Sequence, residues 1–101
     1  MGFFGSLFNN NTEQVKEMIQ SGAVIIDVRS PEEFQGGHVA GSKNIPLQSI
    51  KSRLDEIKKI DKPIVLCCAS GNRSGQAAAF LKQEGINCEN GGGWMQVNGM
   101  I

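Results

Sequence analysis

The residues whose types and spacing are best suited to chemistry are two adjacent cysteines, Cys67 and Cys68, and Arg73 shortly after them. The stretch from Cys68 to Arg73 reads Cys-Ala-Ser-Gly-Asn-Arg. Most of these side chains are small, so the backbone can curl closely around the Cys68 sulfur. Amides that point into such a loop, and the positive end of a following helix, stabilise an anion. Because the thiolate is the nucleophilic form of cysteine, we predict that Cys68 is the catalytic nucleophile.

The rest of this segment, called here the cysteine loop (residues 68–73), is predicted to bind the substrate. An ordinary thiol has a pKa near 8.5, and lowering it by about two units takes about 2.7 kcal/mol, which several amides and a helix end can supply. The same groups would stabilise a persulfide on Cys68, while Arg73 adds a fixed charge for an oxyanion. The residues predicted to bind substrate are Ala69, Ser70, Gly71, Asn72 and Arg73.

Short apolar runs must position this loop. Residues 23–28, apart from Asp27, and residues 64–67 are apolar without alternation, which is typical of strands buried on both faces of a parallel sheet. Shorter strands are predicted at 43–45 and 86–88, with a glycine-rich turn at 90–93. Helices are predicted at 12–20, after the break formed by the three asparagines at 9–11, at 47–60 and at 74–84. A short helix is predicted from Ser30 and Pro31 onward, with Glu33 as the capping-box partner of Ser30.

This alternation of strands and helices predicts an α/β fold with a parallel sheet. Ligands bind beyond the carboxyl ends of the strands in such sheets. Asp27 and Arg29 at the end of one strand and Cys68 at the end of another should therefore lie along the same edge.

The bulk composition fits one globular domain and excludes several classes of partner. The chain has 101 residues, with ten basic and ten acidic side chains. It therefore lacks the excess of basic residues that is typical of proteins that bind nucleic acid. No run of 18 apolar residues is present to span a membrane. Three cysteines, an odd number, favour free thiols in a reducing compartment, and we expect a cytoplasmic protein. We divide the chain into an apolar N-terminal lead-in, residues 1–10, and one domain, residues 11–101.

Three stretches of the chain resemble, in the same order, the signatures of rhodanese-like sulfurtransferases. They are residues 26–34 (Ile-Asp-Val-Arg-Ser-Pro-Glu-Glu-Phe), residues 37–46 and residues 65–79, which include the cysteine loop. The resemblance implies a central parallel sheet flanked by helices on both faces. It implies Cys68 as the sulfur acceptor and Arg73 near the substrate. Asp27 and Arg29 match positions that support the loop and the neighbouring turn.

The resemblance further implies the reaction. Sulfane sulfur would move from a donor such as thiosulfate or a persulfide, through a persulfide on Cys68, to cyanide or a thiol. The partners are then a small-molecule or protein sulfur donor and a thiol or cyanide acceptor, with no cofactor. We expect a monomer.

Two other functions remain open on the sequence. Counted from Cys67, the spacing to Arg73 is that of cysteine-dependent phosphatases, so a small phosphatase or arsenate reductase is one alternative. A non-catalytic rhodanese-like module that binds a partner is the other. Because neighbouring strand residues face opposite ways, only one cysteine can enter the loop, and we predict that Cys67 faces the core. Cys88 is predicted to be a small buried residue and His38 to be structural, and no cluster indicates a metal site.

Overall fold

A computed structural model describes the backbone from Gly2 to Ile101 and the side chains from Asn11 onward. Its centre is a four-stranded sheet in the order β2-β1-β3-β4, in which every neighbouring pair is parallel. This architecture confirms the predicted α/β fold. The strands are β1 (Val24–Asp27), β2 (Lys43–Asn44), β3 (Ile64–Cys68) and β4 (Cys88–Gly93).

Helices cover both faces of this sheet. The helices are α1 (Gly2–Gln20), α2 (Pro31–Gln35), α3 (Leu54–Lys58), α4 (Asn72–Gln83) and α5 (Trp94–Asn98), with a 3-10 turn at Leu47–Ser49. Val15 of α1 and Val97 of α5 pack with Val65 in one buried cluster. Ile57 of α3 and Leu81 of α4 pack in a second cluster on the other face. The chain thus forms three layers with the sheet in the middle.

The central strand β3 is buried along its whole length, and its two adjacent cysteines lie on opposite faces of the sheet. Cys67 packs with Val15 and Ile25 on the face covered by α1 and α5. Cys68 packs with Leu66 on the opposite face, the one covered by α4. The prediction that Cys67 faces the core is confirmed.

The prediction for the last strand is wrong. We expected a strand at residues 86–88 followed by a glycine turn, whereas β4 runs through the glycines to Gly93. Close packing explains the glycines, because a Cβ on Gly91 would lie 2.7 Å from Val65 Cγ1 and 2.8 Å from Val97 Cγ2. The pairing passes from Leu66–Asn90 to Cys67–Gly92 and skips Gly91, so a bulge at Gly91 and Gly92, the latter with φ +91°, shifts the register between β3 and β4.

Two helices also differ from the prediction. The expected helix at 47–60 is divided, because the Ser52 hydroxyl bonds to the Ser49 carbonyl and a turn separates the 3-10 segment from α3. Helix α1 begins at Gly2 and passes through the three asparagines that were expected to precede it, since asparagine only weakly disfavours a helix. The predicted apolar lead-in at residues 1–10 concerns side chains outside the described residues.

Candidate active site

Cys68 is the last residue of β3, and its sulfur lies below the first turn of α4. The Sγ atom accepts hydrogen bonds from the Gly71 amide at 3.0 Å, the Ser74 amide at 3.4 Å and the Ser74 hydroxyl at 3.3 Å. Gly71 has φ +104°, a conformation that side chains rarely adopt, and it turns the chain back toward the sulfur. The cysteine loop therefore folds as a ring of donors around Sγ.

These donors decide the ionisation of Cys68. Burial alone raises the pKa of its thiol, because the charged form loses solvent. Hydrogen bonds from the Ser74 hydroxyl and from the amides of Ser74, Ser70 and Gly71 act in the opposite direction. Together they outweigh burial, so the pKa of Cys68 lies below its ordinary value. The positive end of α4 favours the same thiolate.

The other two cysteines have the opposite character. Burial, followed by the charge of Asp27, raises the pKa of Cys67 to about 12. Burial also raises the pKa of Cys88. The phosphatase alternative required Cys67 to enter the cysteine loop, and the structure instead places its sulfur in the core on the far face of the sheet.

Removing the Ser74 hydroxyl should raise the pKa of Cys68, because this hydroxyl lies 3.3 Å from the sulfur and favours the thiolate. Ser74→Ala should therefore be alkylated at Cys68 several times more slowly at mildly acidic pH, and its rate profile should move to higher pH. Brief alkylation across a pH series, followed by peptide mapping, measures this. Ser70→Ala is the matched control, since Ser70 acts through its amide. Identical profiles for Ser74→Ala and the wild type would contradict the assignment.

Asn90 on β4 holds the donors in place and was not singled out from the sequence. Its Oδ1 accepts from the Gly92 amide at 3.0 Å and lies 2.7 Å from Ser74 Oγ, and its Nδ2 donates to the Gly71 carbonyl at 3.0 Å. The single hydroxyl proton of Ser74 is therefore shared between Asn90 Oδ1 and Cys68 Sγ. Ser74 was seen only as the start of a helix. A serine in the first turn after the cysteine loop was a usable signal for Ser74, but nothing near Asn90 in the sequence indicates this contact.

Asp27 and Arg29 form a buried ion pair that organises the neighbouring turn. Their side chains are 0% and 5% exposed, and Arg29 Nη2 lies 2.7 Å from Asp27 Oδ2. The same guanidinium donates to the Gly37 carbonyl at 2.8 Å and lies 4.9 Å from the centroid of Trp94. The pair thus ties β1 to the turn after α2 and to α5, and Cys68 is not among its hydrogen-bond partners.

Arg73 is paired with a carboxylate. Its Nη1 and Nη2 atoms lie 2.7 Å and 3.0 Å from the two carboxylate oxygens of Glu33, and the two side chains are about one third exposed. The hydrogen bonds from Arg73, followed by the Ser30 amide, lower the pKa of Glu33 to about 2. The arginine that is expected to meet an oxyanion is therefore engaged with Glu33, whose position in the sequence indicates only a helix-capping residue.

The cysteine loop is exposed at its surface, whereas the Cys68 sulfur inside it is buried. Ala69, Ser70 and Asn72 are exposed. His38 is exposed as well, stacks on Phe34 with ring centroids 3.7 Å apart, and its Nδ1 lies 2.7 Å from the Phe34 carbonyl oxygen, so its contacts are within the turn after α2.

From Asn11 onward, no group of three or more His, Cys, Asp or Glu residues is placed to hold a metal ion. Within the same described part, no helix combines the length and apolar character needed to cross a membrane.

Comparisons with known sequences point to one family. The rhodanese-like domain family matches residues 11–98. The uncharacterized protein YqhL of Bacillus subtilis is 51% identical over 63 residues, which is 62% of this chain and 49% of that protein. Thiosulfate sulfurtransferase GlpE of Pseudomonas aeruginosa is 36% identical over 75 residues, 74% of this chain and 67% of that enzyme. The chain thus spans about half to two thirds of the length of these relatives.

Solved structures show the same likeness. A rhodanese-related protein from Thermoplasma volcanium superimposes with a TM-score of 0.72 and 35% identity, covering 87% of this chain and 86% of that one. A rhodanese with anions from E. coli gives 0.67 and 36%, covering 74% and 91%. A Rhodopseudomonas palustris protein described as a possible tyrosine phosphatase gives 0.69 and 27%, covering 85% and 77%. Each likeness extends over most of both chains.

Proposed function

The chain belongs to the rhodanese-like domain family, and we propose that it is a sulfurtransferase that carries sulfane sulfur on Cys68. The observation that carries the proposal is the ring of donors from Gly71 and Ser74 around the Cys68 sulfur. A thiolate stabilised in this way is a ready nucleophile. The relative named thiosulfate sulfurtransferase supports the same reaction class.

The proposed reaction has two steps. The Cys68 thiolate attacks the outer sulfur of the donor, a bond forms between Cys68 Sγ and that sulfur, and the donor's S–S bond breaks. From thiosulfate the electron pair of that bond leaves with sulfite. An acceptor thiolate or cyanide then attacks the outer sulfur of the persulfide, and the electron pair of the broken bond restores the Cys68 thiolate.

The protein's own groups have defined roles in these steps. The amides of the cysteine loop and the Ser74 hydroxyl stabilise the anionic sulfur before and after transfer. The exposed residues Ala69, Ser70 and Asn72 are the part of the cysteine loop that donor and acceptor would meet first. We propose a small-molecule or protein donor, a thiol or cyanide acceptor, no cofactor and a monomeric enzyme. We also propose a cytoplasmic location, which the three free cysteines support.

The proposal is tested by intact-protein mass spectrometry. Reduced protein mixed with thiosulfate should gain one sulfur atom, and cyanide should remove it with formation of thiocyanate. A protein that gains no sulfur from thiosulfate or from a low-molecular-weight persulfide would contradict the proposed function.

A phosphatase function is not proposed. It would require the Cys67 sulfur to act as nucleophile, yet this sulfur lies in the apolar cluster on the face of the sheet away from the cysteine loop, where burial strongly raises the pKa of its thiol. A purely binding role is not favoured either, because a module that only binds a partner has no use for a cysteine sulfur that faces the Gly71 and Ser74 amides at the start of a helix.

A further inference from the structure

We infer that Glu33 sets the charge preference of the site, and that the sulfur donors it takes best are neutral or monoanionic rather than dianionic. This inference rests on the proposed sulfurtransferase function and adds a substrate class to it. The observation behind it is the two-point ion pair between Glu33 and Arg73, the cationic side chain of the cysteine loop.

Glu33 is fixed in this position and does not swing aside easily. Its Oε1 atom also accepts from the Ser30 amide at 3.0 Å and lies 3.1 Å from the Ser30 hydroxyl, which completes a capping box at the start of α2. One carboxylate thus closes α2 and occupies both terminal nitrogens of Arg73. A donor that uses Arg73 must compete with a partner held by a second element.

The other charged side chains at this edge of the sheet do not supply a positive charge in place of Arg73. Arg29 is paired with Asp27 in the buried ion pair behind the turn. The four side chains together carry two positive and two negative charges. The remaining anion-stabilising groups are the loop amides and the Ser74 hydroxyl, and these already serve the Cys68 sulfur. A dianion approaching a thiolate here meets no net positive side-chain charge.

Two donors with the same reacting group separate charge from chemistry. Thiosulfate is a dianion, and methanethiosulfonate is a monoanion that carries a methyl group in place of one oxygen. With either donor, Cys68 Sγ bonds to the terminal sulfur and the donor's S–S bond breaks. The electron pair leaves with sulfite from thiosulfate and with methanesulfinate from methanethiosulfonate. No other oxidant or reductant is needed.

Glu33→Gln is the test, because glutamine also serves in a capping box while the negative charge is lost. The electrostatic free energy gained by removing one negative charge is proportional to the charge of the donor. We therefore expect kcat/KM to rise about tenfold for thiosulfate and about threefold for methanethiosulfonate. The ratio of kcat/KM for thiosulfate to kcat/KM for methanethiosulfonate should then be about threefold higher in the variant than in the wild type. The matched control is Glu32→Gln, an exposed neighbour with the same change of charge, which should leave the ratio unchanged.

An unchanged ratio in Glu33→Gln, or an equal shift in Glu32→Gln, would overturn the inference while leaving the sulfurtransferase function intact. Transfer from neither donor by the wild type would instead refute the function, and the inference with it.

A salt series on the wild type keeps the test independent of variant folding. Between about 10 mM and about 200 mM salt, kcat/KM for thiosulfate should stay level or rise, because salt screens the repulsion of like charges. A fall with salt would reveal a net positive site and overturn the inference.

Discussion

Cys68→Ser should abolish sulfur transfer. The serine hydroxyl ionises far above neutral pH and forms no persulfide, so the ring of donors around position 68 would hold a neutral and unreactive group. We expect turnover with thiosulfate and cyanide to fall by about a thousandfold or more, which corresponds to about 4 kcal/mol of activation free energy. Mass spectrometry should show no added sulfur in this variant.

Two further serine variants are controls for this result. Cys88→Ser should take up sulfur like the wild type, because Cys88 lies in the core with its Sγ 3.7 Å from the Ala78 carbonyl oxygen. Cys67→Ser should also retain transfer, with some loss of stability from a hydroxyl placed in an apolar cluster. Uptake of sulfur by Cys68→Ser at the normal rate would show that the wrong cysteine has been assigned.

Asp27→Asn should destabilise the fold more than any other single change of charge in the described part of the chain. It removes the negative partner of Arg29 while both side chains stay at most 5% exposed, which leaves a buried guanidinium without a counter-charge. Breaking a buried pair in this way costs about 3–5 kcal/mol. Urea denaturation followed by circular dichroism should show the loss as a lower midpoint.

Glu56→Gln provides the matched comparison. Glu56 pairs with two cations, Lys43 and Arg53, whereas Asp27 pairs with one, but the groups around Glu56 lie at the surface, so the urea midpoint should move little. Replacing Arg29 by methionine in the Asp27→Asn background should recover part of the loss, because the unpaired charge is then gone. Equal midpoints for Asp27→Asn and the wild type would mean that the buried pair does not stabilise the fold.

The sequence predicted the structure best where a feature depends on residues that are close together along the chain. Uniformly apolar runs indicated β1 and β3, and both are buried strands of a parallel sheet. Ser30, Pro31 and Glu33 indicated the start of α2, and the structure has the full capping box there. These features depend on residues within a few positions of one another, so the sequence order already contains the interaction.

The predictions were wrong where packing between distant segments decides. A run of glycines normally indicates a turn, but Gly91 lies where Val65 and Val97 leave no room for a Cβ, so the run continues as β4. The division of the expected helix at 47–60 is a different case, because it involves a local hydrogen bond from the Ser52 hydroxyl to the Ser49 carbonyl that periodicity does not record. In both cases a neighbour or a side-chain hydrogen bond overrides the local pattern.

For the candidate site, the sequence by itself determined that one cysteine begins a small-residue loop between a strand and a helix, and that an acidic and a basic residue end the neighbouring strand. Only the tertiary structure decided which groups face the sulfur and which charges remain available. Asn90 reaches Ser74 and Gly71 from another strand, and Glu33 meets Arg73 across 40 positions of sequence. Hydrogen bonds and ion pairs act over a few ångströms of space, so their partners are set by how the elements pack and not by their spacing along the chain.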